Sequence, residues 1–177
     1  MSENLRTSSA VNLALAGQLT ALAVILQATS LYLPLLGEFC SHFATLVIAL
    51  AAGLNPRYGL ATTFSAGFLL LFFSPKQIPI LLFFDGPLGI WAGWGLRNRR
   101  ASLAWFLASV TLFLGISALT RLLGIPFLRE LTEGPSGTVS LLLVGGFSSV
   151  YCYAWFSFIA YVFSGLDRRF PNCQSKG

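Results

Sequence analysis

Asp85 is the acidic residue set deepest in an apolar run of this chain, within the passage PKQIPILLFFDGPLGIWAGWGLRNRR that covers 75–100. A charged side chain at bilayer depth costs about 2.5 kcal/mol or more, so this carboxylate is expected against a partner helix or a wet cavity rather than against lipid. That makes Asp85 the first candidate for binding a ligand or carrying a proton, the alternative being that it caps a re-entrant turn. Pro87, two residues further on, has no N–H to offer the carbonyl of Phe83, so the helix is expected to bend or open around Asp85-Gly86-Pro87. Beyond that point Gly86, Gly89 and Gly93 fall at i, i+3 and i+7, a stripe that lets another backbone approach closely.

Other groups with chemistry to offer are few. His42 is the single histidine, with Glu38 and Cys40 close by. The trio could bind a substrate anion or a metal, or His42 could be a hydrogen-bonded structural residue; one histidine makes a poor metal set, and no metal site is assigned. Tyr32, Trp91, Tyr151 and Trp155, taken with Asp85, are the aromatic and polar groups from which a small-molecule pocket could be built, although each could equally pack or anchor a helix. Glu38 and His42 complete the candidate substrate-binding set. Proton-transfer catalysis needs a positioned acid and base, and the chain has one histidine and one deep acid. HExxH, a GxS motif with a partner histidine, and paired aspartates are missing from the sequence, as is the phosphate-binding GxxxxGK[ST] loop. No catalytic residue and no cofactor are therefore assigned, the chain is expected not to be an enzyme, and any energy from ATP must come from another polypeptide. Cys40, Cys152 and Cys173 lack paired spacing and read as ordinary thiols.

The elements that must position these residues are membrane helices. The 177 residues are 55% hydrophobic and 10% charged, with mean hydropathy +0.75, a composition of neither a soluble domain nor a disordered chain. An all-α fold is expected: one integral membrane domain over 1–177, a bundle of six transmembrane helices at approximately 10–33, 39–54, 58–73, 77–96, 101–123 and 138–164. The first apolar run is longer than the hydrophobic region of a cleaved signal peptide and reads as a retained helix. Pro34 and Gly37 end it, Leu35 to Phe39 reads as a tight connection, and His42 falls just inside the second helix. The connection from Gly124 to Gly137 is a lid or a hydrated loop, and the tail after Asp167-Arg168-Arg169 is polar.

With six crossings both termini lie on one side, together with Arg6, Arg57, Arg97, Arg99, Arg100, Arg168, Arg169 and Lys176. Lys76, Arg121 and Arg129 fall on the other. This imbalance predicts cytoplasmic termini in the plasma membrane and assigns the basic residues to orientation rather than to nucleic acid. On the first helix Ala10, Ala14, Gly17 and Ala21 form a small-residue strip that suits a helical partner, either in another protein or in the same bundle, with Gln18 and Gln27 as polar neighbours.

Six short spans, this strip, the passage ALAAGLNPRYGLATTFSAGFLLL and the passage FFDGPLGIWAGWGLRNRR together resemble the substrate-binding S components of energy-coupling factor (ECF) transporters, and more narrowly YybS-like membrane proteins. The resemblance implies a membrane subunit that binds a vitamin or similar micronutrient from outside. It also implies that Ala10, Ala14, Gly17 and Ala21 dock a transmembrane coupling subunit and that paired ATPase subunits supply the energy. Two other readings stay open: an MreD-like membrane scaffold, which needs no ligand pocket, and a stand-alone proton-coupled carrier working through Asp85.

Overall fold

A computed structural model describes residues 2–123 and 137–169; the expected lid or loop over 124–136 and the polar tail over 170–177 lie outside the described residues. The chain forms α1 (Ser2–Tyr32), α2 (Pro34–Ser41), α3 (Ala44–Leu54), α4 (Pro56–Phe73), α5 (Pro75–Arg97), α6 (Ala101–Leu123) and α7 (Gly137–Arg169). No strand occurs among the described residues. Five stretches are long and apolar enough to cross a membrane: Ala10–Tyr32, Leu35–Leu54, Pro75–Arg97, Ala101–Leu119 and Leu142–Gly165. The expected all-α membrane fold is therefore present.

The span expected at 58–73 is helical as α4; it falls outside those five stretches because its eighteen residues open on Pro56, Arg57 and Tyr58. Two expectations need correction. Leu35 to Phe39 is not a tight connection but the body of α2. Pro34 starts α2 at a position where a missing N–H is harmless, and Gly37 lies so close to α1 that a Cβ there would sit 2.7 Å from Ser30 Cα. This small residue lets α2 fold back on the end of α1. His42 and Phe43 then form a two-residue step between α2 and α3, so His42 sits at a helix break and not inside a helix.

Two apolar clusters meet on α3 and α5. One joins Ala23 and Val24 of α1 to Val47 and Ile48 of α3, Ala66 and Leu70 of α4 and Leu81 of α5. The other joins Ala49 of α3 and Leu88 and Ala92 of α5 to Ala104, Ala108, Leu112 and Ile116 of α6 and Cys152, Phe156 and Ile159 of α7. The glycine stripe explains why α3 and α5 can lie together: a Cβ on Gly89 would be 2.7 Å from the Thr45 carbonyl oxygen, and one on Gly93 would be 2.8 Å from Ala52 Cβ. Contacts that advance together along both helices, from Thr45–Gly89 to Gly53–Arg97, show that they run parallel, and α4 links the end of α3 to the start of α5. Leu60, Phe64, Phe68, Leu114, Leu142, Phe147 and Val150 face outward, as large apolar side chains do where the surroundings are hydrocarbon.

The opening expected at Asp85-Gly86-Pro87 takes a definite form. Leu81–Asp85 is a π-helical turn in which the Gly86 N–H reaches back to the Leu81 carbonyl, and Pro87 then starts the regular helix Gly86–Arg97. The Phe83 carbonyl, deprived of a donor by Pro87, turns toward α6, where Gly115 has no side chain to meet it. A Cβ on Gly115 would be 2.6 Å from that oxygen. Gly115→Ala should therefore destabilise the fold by about 1–3 kcal/mol, as overpacking does, and lower the melting temperature of purified protein by several degrees. A melt identical to wild type would show that this crossing is loose.

At the other end of α5, Arg97 donates to the carbonyls of Gly53 and Leu54, the last turn of α3. Arg57, Arg97, Arg99 and Arg100 thus collect at one end of the bundle, and Glu38, Lys76 and the π turn lie toward the other.

Candidate functional site

Asp85 is fully buried, and three elements converge on it. Its Oδ2 accepts from Gln27 Nε2 of α1 at 2.6 Å. Its Oδ1 accepts from Thr45 Oγ1 of α3 at 2.9 Å and lies 3.4 Å from His42 Nδ1 at the α2–α3 break. Gln27 and Thr45 are also fully buried, whereas the His42 side chain is 34% exposed. Among the described residues His42 is the ion-pair partner of Asp85, and no lysine or arginine pairs with it. The arrangement follows from two irregularities. The π turn rotates Asp85 toward α1 and α3, and the break after α2 leaves His42 at a step where its ring reaches inward.

His42 Nδ1 also lies 3.4 Å from the Tyr151 hydroxyl of α7. With a proton on Nδ1 the imidazole donates to Asp85; without it, Nδ1 accepts from Tyr151. His42 is thus the hinge between a buried acid and a half-buried phenol, and its contact with Tyr151 ties α7 to the α1–α5 side of this site. Aromatic contacts extend the link. Trp155 lies edge-on to Phe43 at 6.0 Å and one turn along α7 from Tyr151, and Phe158 meets both Phe43 and Trp155 edge-on.

A second polar chain runs beside the first. Gln77 Nε2 donates to Ser30 Oγ at 2.6 Å and lies 3.3 Å from Glu38 Oε2, and Ser30 Oγ in turn donates to the Gln27 carbonyl. Hydrogen-bonding groups therefore connect exposed Glu38 to buried Gln27. Among the described residues, the side-chain oxygens of Gln27 and Gln77 and the hydroxyls of Thr62 and Ser74 are buried with no partner of their own. Gln27, Ser74 and Gln77 thus add unpaired oxygens near the Asp85 carboxylate's end of the bundle.

Of the candidate residues, His42, Asp85 and Tyr151 come together, with Trp155 on their flank and Glu38 joined through Gln77. Tyr32 does not join them: it is 81% exposed at the end of α1. Trp91 is also apart, edge-on to Trp94 at 5.8 Å against the α6–α7 core. Ala10, Ala14, Gly17 and Ala21 all face outward, and a Cβ on Gly17 would meet no atom within 4 Å. Among the described residues, then, the strip lies on the outer face of α1 and not in the bundle core.

Gln27, Ser30, Thr45 and Gln77 escaped the sequence reading as site residues. A signal existed for the first two: Ala16, Thr20, Ala23, Gln27 and Ser30 recur at steps of four, three, four and three, and all five are buried. Thr45 and Gln77 carry no such mark, since nothing in the chain tells which side a lone threonine or a glutamine at a turn will face. Among the described residues no group of three metal-ligating side chains converges. No family model matches the chain, and no curated protein or solved structure is significantly similar to it.

Proposed function

We propose that this chain is a membrane substrate-binding subunit of the ECF S-component kind. In this reading it takes a vitamin or similar micronutrient at the His42–Asp85–Tyr151 end and docks through α1 on a transmembrane coupling subunit served by ATPase subunits. It is a carrier subunit rather than an enzyme, and it sits in the plasma membrane with the Arg57, Arg97, Arg99 and Arg100 end in the cytoplasm. The observation that carries this reading is the two-sidedness of α1. One face is buried and hands Gln27 to Asp85, while the other presents Ala10, Ala14, Gly17 and Ala21 exposed among the described residues. In a bilayer, small-residue faces are where helices of separate polypeptides approach closely.

A mild-detergent pull-down of the tagged chain from its own host membranes, read by mass spectrometry, tests the proposal. A coupling protein recovered with ATPases supports it; cell-shape proteins would favour an MreD-like scaffold instead. Ala14→Leu and Gly17→Leu should remove the partner at least tenfold while leaving the melting temperature unchanged, because both positions are exposed and a Cβ on Gly17 would meet no described atom within 4 Å. Partner recovery equal to wild type in both variants would end the docking assignment.

A proton-coupled carrier is the second reading, favoured by His42 Nδ1 standing 3.4 Å from both the Asp85 carboxylate and the Tyr151 hydroxyl. Such a carrier would work alone, so it is supported if the pull-down recovers no partner and uptake depends on the pH gradient.

A further inference from the structure

Between the start of α6 and the C-terminal half of α7 lies a cavity of about 440 Å³ whose lining shares no residue with the Asp85 network. Its floor is Phe156, which is buried, with Leu96 and Trp105 half-buried beside it; its rim carries Ala101, Ser102, Tyr153 and Ser157. The hollow exists because small side chains face one another across the two helices, and because Trp105 cannot swing in to fill it. The Trp105 indole N–H is fixed on the Ser149 carbonyl at 3.1 Å. Exposed Leu103, Phe106 and Tyr161 on the same helices show that the rim belongs to the apolar outer surface.

One end of this groove is basic. Leu96 and Ala101 in its lining directly flank the turn Arg97-Asn98-Arg99-Arg100. Arg97 is committed to the carbonyls that end α3, but Arg99 and Arg100 are exposed and make no side-chain hydrogen bond or ion pair among the described residues. An apolar slot that opens sideways toward hydrocarbon, with two uncommitted guanidinium groups at its interfacial end, is complementary to one molecule class: a lipid with an acyl chain and an anionic head.

We infer that the α6–α7 groove holds an acyl chain of an anionic phospholipid, whose phosphate sits on Arg99 and Arg100. The slot itself discriminates little, since lipid tails and groove walls are equally apolar. Selectivity comes from charge, each arginine near the surface strengthening binding by roughly fivefold. Ser102, Tyr153 and Ser157 supply hydroxyl groups on the rim for the polar part of the lipid. The site is independent of the transport reading, because it uses neither the α1 strip nor Asp85.

Native mass spectrometry of the purified full chain, offered equal amounts of dioleoyl phosphatidylglycerol and dioleoyl phosphatidylcholine in micelles, reads the site directly. One phosphatidylglycerol should be retained in preference to phosphatidylcholine by about 25-fold, and the double variant R99Q/R100Q should bring the two lipids to near parity. Both arginines are exposed, so that variant keeps the fold, which a thermal melt in the same micelles verifies. Ser157→Leu, which fills the slot from its rim, should lower phosphatidylglycerol retention at least fivefold with the arginines intact. Equal retention of the two lipids by wild type, or a phosphatidylglycerol preference untouched by R99Q/R100Q, overturns the assignment. Full retention in Ser157→Leu overturns the acyl slot.

Discussion

Replacing Gly89 with leucine should drive α5 off α3 and leave little folded protein. Even the first carbon of a new side chain would lie 2.7 Å from the Thr45 carbonyl oxygen and 2.9 Å from Ile48 Cβ, distances that backbone and a buried branched side chain cannot concede. Gly89→Ala is the graded version. It should cost about 1–3 kcal/mol and lower the melting temperature by several degrees, while Gly89→Leu should elute aggregated in size-exclusion chromatography. The loss reaches the site as well, because Thr45, on the turn of α3 that Gly89 touches, is one of the donors to Asp85. Gly17→Leu is the matched control: the same change on a face with no neighbour should leave the elution profile monodisperse. Normal melting of Gly89→Ala would mean that α3 and α5 do not meet at this stripe.

Asp85→Asn should fold and fail. The amide keeps the volume of the carboxylate, and its NH2 group finds a ready acceptor if the Gln27 side chain turns its unpartnered oxygen inward. The melting temperature should therefore stay within a few degrees of wild type. Asp85→Ala is different, since it strands the Gln27 amide and the Thr45 hydroxyl in a dry interior, at about 1–3 kcal/mol for each unsatisfied group. Under either transport reading Asp85→Asn should reduce uptake by host cells at least tenfold, equivalent to about 1.4 kcal/mol of lost binding. A scaffold would tolerate it. Wild-type uptake in a well-folded Asp85→Asn variant would remove Asp85 from the functional site.

How far the chain could be read in advance is clearest at α5. Asp85, Pro87 and the glycines mark a disturbed helix, a buried acid and a close crossing, and each mark has a local cause: a lost N–H, an ionisable group in an apolar run, a missing Cβ. Those causes act wherever the helix ends up, so they are legible without the fold. What the carboxylate would meet is a different kind of information. Gln27 is 58 residues from Asp85 along the chain and Thr45 is 40, and their partnership depends on α1 and α3 presenting one particular face to the π turn.

The same division runs through the rest of the molecule. Composition and apolar run length determined that this is an all-helical membrane protein, because spanning hydrocarbon leaves a backbone few ways to satisfy its own hydrogen bonds. Residue spacing determined that α1 has a smooth face. Only the tertiary structure decided that this face looks outward while the face bearing Gln27 and Ser30 looks in, that Tyr32 and Trp91 stand apart from Asp85, and that Leu35 to Phe39 coils into a helix of its own. The reason is physical: local sequence fixes which bonds a segment can make by itself, but a side chain's partner is set by how helices pack, and packing is a property of many distant residues at once.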